Sequence, residues 1–104
     1  MAKLPSIHPG EILRTEFLDP LGITPYALAR DTGIDKGNLS RILNGKSSIT
    51  AETALRLGTF FGTGPESWLN LQAHYDLEVA RGRSLEKIER EVKPFVSNVG
   101  SAGA

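Results

Sequence analysis

Two short helical patterns separated by a glycine-containing turn occupy residues 24–46, and they constrain the fold more than any other segment. Apolar residues recur at the positions that two crossing helices must bury, namely Leu28, Ala29, Ile34, Leu39, Ile42 and Leu43. Gly33 falls where the first helix ends, and glycine adopts a left-handed backbone there without a Cβ penalty. The pattern predicts a helix-turn-helix over residues 24–43, whose second helix can enter the major groove of DNA.

Capping residues mark the ends of both predicted helices. Thr24 suits an N-cap and Pro25 the first helical position, so the first helix is expected to begin at Pro25. Asp35 suits the N-cap of the second helix, because its carboxylate favours the positive end of a helix dipole. Asn44 and Gly45 then provide the expected helix stop.

The remainder of the chain also has helical periodicity, which predicts an all-α protein of five to six helices. A first helix is expected over residues 11–18 and should end at Asp19-Pro20, because the residue before a proline avoids the α region. A strongly apolar helix follows the motif, with Thr50 as its N-cap and Gly62 as its stop. No internal repeat or strand-like alternation interrupts this order.

The C-terminal part carries a wide apolar stripe that begins after Gly64-Pro65. Arg81-Gly82-Arg83 is expected to break that helix, and a separate C-terminal helix is placed within residues 82–96. The stripe exceeds what one small core needs, so its residues are interpreted as core or dimer interface. They are Trp68, Leu71, Tyr75, Val79, Leu85 and Ile88. Toxin binding could use the same surface. Residues 97–104 are small and are expected to form a flexible tail.

Length and composition favour one domain over residues 1–104. The chain has no cysteine, which excludes disulfides and thiolate metal sites. No apolar run reaches the roughly 20 residues of a membrane span, and no signal peptide is evident, so a soluble cytoplasmic protein without a membrane partner is expected. The net charge is zero, yet residues 36–46 hold Lys36, Arg41 and Lys46 and no acidic residue. A local basic face of this kind is adequate for DNA.

Enzymatic activity finds little support in the sequence. His8 and His74 are the two histidines, and neither has a metal-ligand partner at the required spacing. No paired carboxylates and no phosphate-binding glycine loop accompany them. Neither catalytic residues nor a cofactor are therefore assigned.

Four parts of the chain together resemble the HigA-family, or VapI-like, antitoxins within the Cro/C1-type helix-turn-helix group. They are His8-Pro9-Gly10-Glu11-Ile12-Leu13, Leu39-Ser40-Arg41-Ile42-Leu43-Asn44-Gly45-Lys46, Ile49-Thr50 with Ala54-Leu55-Arg56-Leu57, and Trp68-Leu69-Asn70-Leu71-Gln72 with Tyr75-Asp76-Leu77. The resemblance covers residues 7–81. It implies a lambda repressor-like DNA-binding core with a C-terminal dimerisation helix, which binds double-stranded operator DNA as a homodimer. It also implies a partner, a HigB-type, RelE-like RNA-cleaving toxin, and repression by the antitoxin of the operon that encodes both proteins. A stand-alone transcription regulator, or a helical module redirected to protein binding, is the alternative.

The expected DNA contacts lie in and around the second motif helix. Candidates for base reading are Lys36, Asn38, Ser40 and Arg41. Candidates for contacts to the sugar–phosphate backbone are Thr24, Tyr26, Gly37, Asn44 and Lys46. Related sequences commonly carry a contacting side chain where this chain has Gly37, which leaves more of the reading to Lys36 and Asn38.

Overall fold

The computed structural model describes residues 6–96, and within that range it contains five helices and no strand. Helix α1 has three consecutive parts, and four more helices follow: α1 Pro9–Ile12, Leu13–Leu18 and Asp19–Leu21, α2 Pro25–Thr32, α3 Lys36–Leu43, α4 Ala51–Phe61 and α5 Glu66–Glu91. The all-α prediction is confirmed. The tail expected at residues 97–104 lies outside the described residues.

Helix α1 does not end where the sequence predicted. Its middle part, Leu13–Leu18, is π-helical, and the Asp19 N–H donates to the Arg14 carbonyl five residues earlier. The helix then continues through Pro20 to Leu21, so the predicted end at Asp19-Pro20 is wrong. Proline disrupts a helix by removing one N–H and crowding the preceding turn, and a wider π-turn just before it changes that local geometry.

The buried core joins all five helices around the helix-turn-helix. It includes every apolar position predicted from the motif, and it consists of Leu13, Leu18, Leu28, Ala29, Ile34, Leu39, Ile42, Leu43, Ile49, Ala54, Leu57 and Trp68. Phe17 packs against this core, with its ring centroid 5.1 Å from that of Trp68 and 4.8 Å from that of Phe61. The indole of Trp68 is 2% exposed. These ring contacts join α1, α4 and α5.

Helix α5 is continuous for 26 residues, so the predicted break at Arg81-Gly82-Arg83 and the separate helix from residue 82 are wrong. A glycine inside an exposed helix costs only about 1 kcal/mol relative to alanine. Gly82 has no neighbouring atom within 4 Å of the position a Cβ would take. The helix instead ends at Glu91, and its C-cap Val92 is extended (φ −90°, ψ 127°) and lies two residues before Pro94.

The second half of α5 projects from the domain as an arm. At 1.5 Å per residue the helix is about 39 Å long, and no residue from 73 to 96 is fully buried. The radius of gyration is 18.1 Å, against about 13 Å for a compact domain of 100 residues. Leu85 and Ile88 on this arm are 41% and 46% exposed.

The six residues assigned to core or dimer interface separate into two groups. Trp68 is buried and Leu71 packs against the core, and Tyr75 and Val79 are half-buried. Leu85 and Ile88 lie outside the core. None of the helices in residues 6–96 combines the length and hydropathy that crossing a membrane requires.

Candidate nucleic-acid interface

The turn between α2 and α3 is fixed by hydrogen bonds. Thr24 Oγ1 accepts from the Ala27 N–H at 3.1 Å and begins α2. Gly33 ends α2 in the left-handed conformation (φ 77°), as predicted. The buried Thr32 Oγ1 donates to the Leu28 carbonyl at 2.6 Å and accepts from the Ile34 N–H at 3.2 Å. Because both motif helices are held by the same turn, α3 keeps a fixed angle to α2.

Helix α3 has one buried and one exposed face. Asp35 Oδ2 accepts from the Asn38 N–H at 2.9 Å and caps the helix. The buried face consists of Leu39, Ile42 and Leu43. Lys36, Ser40 and Arg41 are exposed, and Asn38 is half-buried beside them. The four residues predicted to read bases therefore lie on one short helix whose opposite face is buried in the core. We call these four the reading residues.

Tyr26 connects the starts of the two motif helices. Its ring is 62% exposed, and the Lys36 Nζ lies 5.4 Å from the ring centroid. The Arg30 guanidinium lies 5.9 Å from the same centroid and also donates to Asp31 at 2.9 Å. That hydrogen bond lowers the pKa of the Asp31 carboxyl. Two cations thus lie within cation–π range of one exposed aromatic ring.

Gly37 leaves space for two charged groups in the first turn of α3. A Cβ at this position would lie 3.2 Å from Asp35 Oδ2 and 3.5 Å from the Arg41 Nη1. The capping carboxylate and the guanidinium therefore approach the helix backbone where other residues would place a side chain. Gly37 itself offers only main-chain atoms, and its contact with the DNA backbone stays a prediction.

Lys46 follows α3 in a tight turn. The Asn44 N–H donates to the Ser40 carbonyl at 3.0 Å, and the Lys46 N–H donates to the Arg41 carbonyl at 2.7 Å. Asn44, which caps the C-terminus of the helix, and Lys46 are both exposed. The turn thus fixes the backbone of Lys46 next to the end of α3.

A groove of about 270 Å³ runs between α1 and the motif helices. It is lined by Arg14, Pro25, Tyr26, Ala29, Lys36, Leu39, Ser40, Leu43 and Asn44. Arg14 Nη2 donates to the Leu43 carbonyl at 3.4 Å, at the C-terminal end of α3. Sequence reasoning missed Arg14, because no signal in α1 shows that this cation reaches the motif.

The fold and the exposed face of α3 define a helix-turn-helix protein of the Cro/C1 type, and the helix-turn-helix family matches residues 15–69. Antitoxin HigA-1 of Vibrio cholerae is 44% identical over 94 residues, which cover 89% of this chain and 88% of that protein. Virulence-associated protein I of Dichelobacter nodosus is 46% identical over 78 residues, covering 75% of this chain and 72% of that protein.

The chain belongs to the HigA, or VapI-like, antitoxin family. A solved structure of the Pseudomonas aeruginosa antitoxin HigA with the higBA promoter is similar to it, with a TM-score of 0.85 and 40% identity, covering 88% of this chain and 100% of that one. Membership of this family agrees with the expectation that the chain is not an enzyme.

Proposed function

We propose that this protein is a sequence-specific DNA-binding antitoxin that represses its own operon and neutralises a HigB-type, RelE-like RNA-cleaving toxin. The observation that carries the DNA-binding part is the exposed face of α3, where Lys36, Ser40 and Arg41 lie together on a helix whose other face is buried. A relative with 40% identity has been solved with promoter DNA. The proposed site of action is the cytoplasm, where operator DNA is found.

In this proposal α3 lies in the major groove of operator DNA, and the contacts fall into two classes. Lys36, Asn38, Ser40 and Arg41 face base edges, with Arg41 able to pair bidentately with guanine and Asn38 with adenine. Thr24, Tyr26, Gly37, Asn44 and Lys46 surround α3 and meet the sugar–phosphate backbone, which fixes the orientation of the domain.

The protein acts as a homodimer, because two copies of α3 then meet two successive major grooves of a palindromic operator. The arm of α5 provides the contact between copies. Leu85 and Ile88 on α5 and Val92 at its C-cap follow one another at intervals of three and four residues, and they are 41%, 46% and 58% exposed in the single chain. Pairing two arms removes this apolar surface from water.

Toxin neutralisation rests on family membership, since the most similar relatives include a protein named as an antitoxin. A toxin gene next to this one distinguishes the antitoxin from a stand-alone regulator. Co-expression tests the assignment directly: the adjacent toxin should arrest growth alone and should copurify with this chain when both are made.

The DNA-binding proposal is tested by fluorescence anisotropy of the purified protein with its own promoter, using a scrambled duplex as competitor at fixed salt. Arg41→Ala should weaken specific binding by about 1–3 kcal/mol and leave the dimer intact. Arg90→Ala is the matched control, because Arg90 is an exposed arginine in the last turn of α5. Equal promoter affinity of Arg41→Ala and wild type would show that α3 is not the reading helix.

A further inference from the structure

Two segments that lie far apart in the sequence meet at one short loop. Residues 45–49, here called the post-recognition loop, connect α3 to the N-cap of α4. The segment that begins with His8 approaches this loop from one side, and the segment that ends with Gln72 approaches it from another. Neither segment lies among the DNA contacts of the proposed function, so their convergence needs its own explanation.

Gln72 holds the C-terminal end of the loop. Its side chain is 5% exposed, and its Oε1 accepts from the buried Ile49 N–H at 2.8 Å. Its Nε2 donates to Asp76 Oδ1 at 3.0 Å. The Asp76 carboxylate therefore fixes the orientation of the amide, so that oxygen rather than nitrogen faces the loop. A buried backbone N–H that lost this acceptor would carry a full desolvation penalty.

His8 holds the N-terminal end of the loop. Its Nδ1 accepts from the Gly10 N–H at 2.9 Å, which caps α1. Its ring packs edge-on against Tyr75, with the centroids 4.9 Å apart. A Cβ on Gly45 would lie 3.7 Å from the imidazole Cγ, so the ring closely covers the loop backbone.

We propose that Gln72 and His8 are positioning residues of the DNA-binding surface, which fix the post-recognition loop and thereby direct Lys46 to a DNA phosphate. The inference rests on the proposed function, because it requires a DNA complex. Lys46 lies in the part of the loop between the two holding contacts. Its flexible side chain reaches a phosphate at low entropic cost only if its backbone is already fixed.

The same contacts join DNA binding to the C-terminal helix. Gln72, Tyr75 and Asp76 all belong to α5, whose far end forms the arm. A rigid helix therefore carries both the residues that hold the DNA-contacting loop and the surface proposed for the second copy. The geometry of the dimer is transmitted to Lys46 through a single helix.

A double-mutant cycle tests whether Gln72 acts through Lys46. The slope of log affinity against log salt concentration is negative. Lys46→Ala should reduce its magnitude by about 0.9 for each chain bound, because one phosphate contact is lost. Gln72→Leu should reduce the slope in the same direction. In the Lys46→Ala background, Gln72→Leu should produce no further change of slope, because coupled residues are non-additive. Asn70→Leu, an exposed amide on the same helix, should leave the slope unchanged.

A second variant keeps the test informative if Gln72→Leu does not fold. Gln72→Glu combined with Asp76→Asn exchanges the amide and the carboxylate between the two positions and retains an acceptor for the Ile49 N–H. This double variant should keep the wild-type slope. Gln72→Glu alone places two carboxylates next to each other and should make the salt slope shallower. In the free protein, hydrogen exchange of the Ile49 amide should be slow in the wild type and the double variant and faster in Gln72→Glu.

Two results separate failure of this inference from failure of the proposed function. If the wild type prefers its promoter but the changes of slope caused by Gln72→Leu and Lys46→Ala add up in the double variant, the positioning role is wrong and the proposed function stands. If the wild type binds promoter and scrambled duplex equally, operator recognition is wrong, and the cycle is measured on the scrambled duplex, where phosphate contacts still set the slope. A wild type that binds no duplex contradicts both.

Discussion

Replacing Gly10 by alanine should destabilise the protein, because α1 crosses α3 at this residue without space for a side chain. A Cβ on Gly10 would overlap the Ile42 carbonyl oxygen and lie 2.7 Å from its carbonyl carbon. Carbon atoms in contact are ordinarily about 3.5–4.0 Å apart, so α1 and the recognition helix would have to separate by roughly 1 Å. The obstacle is main chain in the last turn of α3, which cannot rotate away as a side chain can.

The expected loss of stability in Gly10→Ala is the difference between two opposing effects. Overpacking of this kind costs about 1–3 kcal/mol, and we place Gly10→Ala at the upper end because the clash is with main chain. Alanine regains about 0.5–1 kcal/mol of helix propensity relative to glycine. The net loss is therefore about 2 kcal/mol, which corresponds to a decrease of roughly 10 °C in Tm for a domain of this size.

Urea and thermal unfolding followed by circular dichroism measure this loss. Gly82→Ala is the matched control, since it makes the same substitution in a helix where no atom lies within 4 Å of the new Cβ. That variant should gain about 0.5–1 kcal/mol. Equal unfolding midpoints for Gly10→Ala and the wild type would refute the close approach of α1 and α3, whereas a loss of stability in Gly82→Ala would contradict the continuous α5.

Two further substitutions test the arm and the N-terminal cap. Ile88→Glu should convert the dimer to a monomer in sedimentation equilibrium while changing the stability of the single chain by less than about 0.5 kcal/mol, as for other surface substitutions; a mass that stays dimeric would place the interface elsewhere. Burial lowers the pKa of His8 below 6.5, so the unfolded chain takes up this proton first, and the wild type should lose stability as the pH falls below about 6.5. His8→Asn keeps a capping acceptor, and in urea unfolding it should lose less stability between pH 7 and pH 5 than the wild type does. An equal loss of stability in both proteins would contradict the inferred cap.

The helix ends within the motif were predictable because their causes are local. Thr24 and Asp35 each accept a hydrogen bond from a backbone N–H three residues later, and such a cap depends on the residue type and on little else. Gly33 likewise ends α2 through its own backbone conformation. A pattern of 20 residues therefore contained enough information to place α2, the turn and α3.

The sequence-based predictions of helix ends were wrong where tertiary packing outweighs the local preference of a residue. Pro20 is accommodated because α1 is π-helical just before it, and no rule of proline placement predicts that arrangement. Gly82 does not break α5, since its helical cost of about 1 kcal/mol is small beside the loss of a continuous helix. The contacts of Arg14 and Gln72 were missed for a different reason: their hydrogen-bond partners lie 29 and 23 residues away in the sequence.

The zero net charge becomes compatible with DNA binding once the charges are placed in space. Ion pairs of the described chain lie on α2, α4 and α5, where Arg30 pairs with Asp31 and Arg56 with Glu52. The cations on α3 are Lys36 and Arg41, and Arg14 and Lys46 lie beside its C-terminal end. If all four of these cations met a phosphate, a single chain would contribute roughly −3.6 to the slope of log affinity against log salt concentration, and two chains about −7. One chain therefore offers few contacts, and a neutral body adds no long-range attraction to them. If the α5 arm holds the second copy, as proposed, tight operator binding by such a protein requires that arm as much as it requires α3.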